Sequence, residues 1–160
     1  LVVARGDLGP TQPGIAALSC GVEYGGLYMD SWSFCASGLE FTNDGGNGDW
    51  PATGGGNRIT WNAATNCQTD EIGGSGIQAV AGYFYIYNYY DTQPISFLRI
   101  TTNNNVAEPE LQVADCNAVS SDLPPLAAGG VEFGAGPGYN PCGAVPVETT
   151  TWGNLKQQFD

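Results

Sequence analysis

IQAVAGYFYIYNYY, residues 77–90, is the clearest β-strand signal in the chain. Side chains alternate across a strand, which predicts Ile77, Ala79, Ala81, Tyr83, Tyr85, Tyr87 and Tyr89 on one face. Val80, Phe84 and Ile86 fall on the other. Apolar character on both faces means a strand covered on both sides, or one that turns a face to a partner. DTQP (91–94) then leads into ISFLRITT (95–102), which predicts a hairpin.

Working outward, GVEYGGLYM (21–29), SWSFCASGLEFT (31–42) and RITWNAATNC (58–67) are further strand candidates, with a glycine-rich loop at 43–57. Downstream, ELQVADC (110–116), VEF (131–133) and VPVETTTW (145–152) continue the pattern. Only GNLKQQF (153–159) suits a helical turn, and no repeat of fixed period is visible. Short strands at this spacing predict an all-β chain, an antiparallel two-sheet β-sandwich with an extended N-terminal arm and long Gly/Pro-rich loops. Residues 1–14 form the arm and spacer, and residues 15–160 a single disulfide-bearing β domain.

Composition limits the function. The net charge is −12, with only Arg5, Arg58, Arg99 and Lys156 as cations. Phosphate-backbone binding needs clustered Lys and Arg, so nucleic acid is excluded as a partner. No apolar run approaches the roughly 18–20 residues of a membrane-spanning helix, which excludes membrane insertion of that kind. The chain has no histidine, so Ser-His-Asp and Cys-His catalysis and His-ligated metals are unavailable. Glu23, Glu40, Asp49, Asp70, Glu71, Glu108, Glu110, Asp115 and Glu132 remain as acids, but no spacing singles out a pair for glycosidase-type work. They read as solvated surface groups, no catalytic residue is assigned, and the expectation is a protein that is not an enzyme.

Cys20, Cys35, Cys67, Cys116 and Cys142 never form a CxxC pair. They are expected to make two disulfides and leave one thiol. Cys116–Cys142 would clamp the Pro/Gly-rich segment, and Cys20 with Cys35 or with Cys67 would be the second. Together with a Leu1 start of the kind signal-peptide cleavage leaves, this gives an extracellular or cell-surface expectation.

Asn43, Asp44, Asn47 and Asp49 place oxygen ligands on a glycine loop, as Ca²⁺ prefers, although the loop lacks the EF-hand glutamate. An ordinary turn is the alternative, and no other cofactor is expected. Thr11, Thr149, Thr150 and Thr151 are candidates for O-linked sugar. RGD at 5–7 reads as the end of a strand. Trp32, Trp50, Trp61, Trp152 and the tyrosines of 83–90 are either core or a platform for sugar rings.

The chain opens LVVARGDLGPTQPG. Leu1 to Ala4 are apolar on both faces, which calls for burial on both, and Pro10 and Pro13 then interrupt any ladder. Such an arm either folds back onto its own domain or reaches into the next molecule. The layout of arm, Pro/Gly spacer and cysteine-bearing β body resembles the donor-strand fibre subunits of bacteria, the secreted pilins. The resemblance implies Leu1, Val2, Val3, Ala4 and Leu8 as an inter-subunit donor strand and a head-to-tail homopolymer, a structural filament or surface layer. The other class of function is an extracellular carbohydrate-binding or adhesion module, with glycans as partners.

Overall fold

The computed structural model describes residues 1–5, 14–35, 37–42, 50–72, 76–89, 96–117 and 122–133. They form strands β1 (Val2–Arg5), β2 (Ile15–Gly25), β3 (Tyr28–Phe34), β4 (Leu39–Thr42), β5 (Gly56–Thr60) and β6 (Asp70–Ile72). Then follow β7 (Gly76–Val80), β8 (Gly82–Tyr87), β9 (Ser96–Thr101), β10 (Gln112–Asp115), β11 (Asp122–Leu123) and β12 (Gly130–Phe133). Among the described residues there is no helix.

β2 is the spine of the larger sheet, whose order is β11-β10-β2-β5-β4 with β9 and β12 joined through β2. Along one edge β2 pairs β10 through Ile15–Ser19 and β9 through Gly21–Gly25; on the other it pairs β5 through Ala17–Gly21. A strand flanked on both edges and buried for most of its length has no use for alternation, and IAALSCGV reads as a nearly continuous apolar and small-residue run. Gly21 is needed here because a Cβ would lie 2.1 Å from the Thr102 carbonyl oxygen.

The second layer is made of two smaller antiparallel sheets, β1-β7-β6 and β3-β8. They meet at Ala81, whose N–H donates to the Leu1 carbonyl and whose own carbonyl accepts from Cys35 N–H, both at 3.0 Å. Between the layers lie Ile15, Leu18, Cys20, Val22, Ile59 and Leu98 from the larger sheet, Val3, Ala79 and Ala81 from the smaller ones, and Trp50 and Trp61. Met29, Trp32, Phe34, Phe84 and Ile86 pack against this cluster. The chain is thus the all-β antiparallel sandwich expected from its sequence.

The run 77–90 departs from expectation in an informative way. It is two strands in two sheets: β7 pairs β1 and β6, whereas β8 pairs β3. Its odd-numbered residues do not share a face. Ala79 and Ala81 are buried, while Tyr83, Tyr85 and Tyr87 point to solvent. The inward parity slips by one at Ala81–Gly82, so that Phe84 and Ile86 turn toward the core. Gly82 permits the slip, because a Cβ there would lie 2.4 Å from both the Ser33 oxygen and Trp32 Cη2. Gly82→Ala is therefore expected to lower stability by about 1–3 kcal/mol, the usual range for overpacking. Urea unfolding followed by tryptophan fluorescence checks it.

The hairpin expected between 77–90 and 95–102 is not formed either. β9 pairs β2 and β12, and β8 takes β3 instead. The physical reason is burial: β9 carries Leu98 into the main core beside Val22 and Tyr24, a place β8 leaves to it. Likewise 31–42 is not one strand but the end of β3 followed by β4 on the far edge of the larger sheet.

The cysteine pairing is also corrected. Cys116 is bonded to Cys67, with Cα atoms 6.0 Å apart, and not to Cys142, which lies outside the described residues. The start of β2 brings the two together. Gly14 O accepts from Cys116 N–H on one side, and Ile15 bridges to Gln68 on the other. Cys20 pairs with neither Cys35 nor Cys67: it is a fully buried free thiol, and Cys35 is an exposed one.

Candidate functional site

Two features stand apart from the packing, the leading strand and the outer face of β3–β8. β1 lies antiparallel to β7 with Val2 opposite Val80, Val3 opposite Ala79, Ala4 opposite Gln78 and Arg5 opposite Ile77. Leu1 prolongs the ladder, its nitrogen donating to Gly82 O at 2.5 Å. Burial lowers the pKa of that amine below its ordinary value, against the opposing pull of nearby Cys35 and Cys20. Alternation explains the side chains: Val3 and Ala79 close the core, whereas Val2 and Val80 are 53% and 41% exposed. The sequence reading of an arm buried on both faces is corrected here. β1 is an edge strand, and it presents only one side to the core.

Within the single chain the arm pairs with its own β7, so the edge that receives it is Ile77–Val80, a partner the sequence left unassigned. Leu8 and Thr11 in the spacer lie outside the described residues, as do Asn43, Asp44, Asn47 and Asp49 of the candidate Ca²⁺ loop, Thr149, Thr150, Thr151 and Trp152. Among the described residues no group of three or more His, Cys, Asp or Glu is placed to hold a metal ion.

The second feature is a row of tyrosines. Tyr83, Tyr85 and Tyr87 project outward from β8, Tyr89 continues the row, and Tyr28 on β3 stands opposite Tyr87. Tyr87 stacks on Tyr89 at 5.6 Å between centroids and meets Tyr85 edge-on at 5.2 Å. Across the pair, Ser31 and Ser33 face Tyr85 and Tyr83, and Asp30 is the extra residue where the register shifts. Small hydroxylated neighbours leave the rings open: Tyr83 and Tyr85 are 55% and 51% exposed. The Tyr87 hydroxyl is pushed up to about 12, first by its hydrogen bond with Tyr85, then by desolvation, and further by the Asp30 charge.

The described tryptophans are sorted away from this face. Trp50 and Trp61 are buried, and Trp32 packs on Phe84 at 4.8 Å and on Trp50 at 5.3 Å. Glu40 Oε1 accepts from Trp32 Nε1 at 2.7 Å and from buried Asn57 Nδ2 at 2.8 Å. Other acids hold structure as well. Glu110 pairs with Arg58, Glu132 with Arg99, and Asp115 caps Asn117. Burial acts to raise the Glu110 carboxyl, but hydrogen bonds from Ser19 and Arg58 and the Arg58 charge hold it below its ordinary value. Burial pushes the Cys20 thiol up to about 12, so it remains an uncharged core group.

Compared with protein-family models, with curated proteins and with solved structures, the chain matches none of them. No helix among the described residues is long and apolar enough to cross a membrane.

Proposed function

We propose that the protein is an extracellular structural subunit that assembles head-to-tail by exchanging β1 between copies. One observation carries this reading: a leading strand of four residues completes a sheet edge, Ile77–Val80, that is remote from it in sequence. Residues 6–13 connect it to the body. The β7 edge gains the same ladder bonds and the same buried Val3 from a neighbour's β1 as from its own. Exchange of an identical element therefore costs little beyond association, and a head-to-tail contact that does not close gives a filament. The Cys67–Cys116 disulfide supports an oxidising, extracellular setting.

The test uses the register. Val2 and Val80 are partners and both exposed, so a V2C/V80C chain in a Cys35→Ser background is expected to oxidise into a ladder of covalent multimers that lengthens with protein concentration. Negative-stain microscopy should show filaments in the same samples. Cross-linked monomer alone at every concentration would overturn the proposal.

A second reading, an extracellular carbohydrate-binding module, is favoured by the tyrosine row, since aromatic faces stack on the apolar faces of sugar rings. Retention of a filament-free chain on a polysaccharide column would favour it over assembly.

A further inference from the structure

The tyrosine face carries one acid and no cation. β3 and β8, Tyr28–Phe34 and Gly82–Tyr87, contain no Lys or Arg, and their charged residue is Asp30, at the register shift beside Tyr28. Of the described cations, Arg58 and Arg99 belong to β5 and β9 of the other layer, where Glu110 and Glu132 engage them, and Arg5 closes β1 opposite Ile77, in the adjoining sheet β1-β7-β6. Around this face lies the field of a chain with net charge −12. Ring faces attract ammonium groups as well as C–H faces, and a field of one sign gathers ligands of the other.

We infer that the outer face of β3–β8 binds polysaccharides of amino sugars with free amines, in preference to neutral or uronic-acid chains; this rests on reading the face as a sugar platform. A pyranose ring of such a polymer offers an apolar face to a tyrosine and an ammonium to the neighbouring ring or to Asp30. Neutral chains keep only the stacking. Uronic-acid chains add repulsion. Tyr83, Tyr85 and Tyr87 span roughly 13 Å at strand rise, and Tyr89, stacked on Tyr87, lengthens the row, which is long enough for more than one sugar ring. Ser31 and Ser33 supply hydroxyls alongside them. The upward shift of the Tyr87 hydroxyl, to which the Asp30 charge contributes, agrees with a carboxylate close enough to be felt by the row.

The experiment is calorimetric titration of the full chain, in mildly acidic low-salt buffer, with glucosamine, N-acetylglucosamine and galacturonic acid oligomers of equal length, and with oligolysine of equal charge. The glucosamine oligomer is expected to bind about tenfold more tightly than its acetylated counterpart, and the galacturonic acid oligomer not at all. High salt should erase most of that preference. Asp30→Asn should reduce it to about threefold without changing the acetylated oligomer, whereas Tyr85→Ala should weaken both sugars. Equal affinity for the amine and acetylated forms overturns the inference and leaves the sugar platform standing. Oligolysine binding as tightly as oligoglucosamine overturns it too, because charge alone would then suffice. If no sugar oligomer binds, the platform reading itself falls.

Discussion

Replacing Val3 by aspartate is expected to abolish assembly and to lower the stability of the chain by about 3 kcal/mol, the range reached when an unpaired charge is forced into a core. Val3 is buried opposite Ala79, and an aspartate there must either stay protonated or pull β1 off the β7 edge. The same loss applies to β1 supplied by a neighbour, since the side chain would enter the same site. Val2→Asp is the matching control. Val2 is one residue away but faces solvent, so its replacement should stay within about 0.5 kcal/mol and leave assembly intact. Urea unfolding and electron microscopy of both variants decide the matter; identical behaviour would refute the inward placement of Val3.

The second large effect belongs to the disulfide. Cys67 and Cys116 close a segment with a sequence separation of 49. In the chain-entropy description a loop of that length restricts the unfolded state enough to contribute about 4 kcal/mol. The double variant C67S/C116S is expected to lose stability of that order, and reductant should then have no further effect on it. Cys35→Ser, an exposed thiol outside the bond, should change little. Unfolding midpoints with and without reductant test both statements. A double variant as stable as the parent would mean that the Gly14–Ile15 contacts to Gln68 and Cys116 already hold the ends together.

The sequence carried the fold class further than it carried the site. Alternation in 77–90 was enough to read a strand, and short runs between turns were enough to read a sandwich. The parity slip at Gly82 was not legible, because its cause is Trp32 and Ser33, fifty residues earlier. That slip is what turns the tyrosines outward, so the choice between core and platform could not be made from the pattern alone. Cysteine spacing likewise says nothing about which thiols meet; Gly14, passing between Cys67 and Cys116, brings them together, and only topology reveals that. Ile15–Cys20 lacked alternation because β2 is covered on both sides, and so only the second half of that strand, within GVEYGGLYM, was legible.

β2 has a consequence for how the molecule comes into being. Its neighbours are Gly56–Thr60, Ser96–Thr101 and Gln112–Asp115, so a chain delivered in order holds this largely buried strand unmet while some thirty residues follow. It is complete only after about a hundred residues have appeared. Pairings so distant make for slow collapse and a long window in which bare ladder edges attract one another. Production of the protein should accordingly depend on a holding factor or a low local concentration until Asp115 has taken its place beside Ile15.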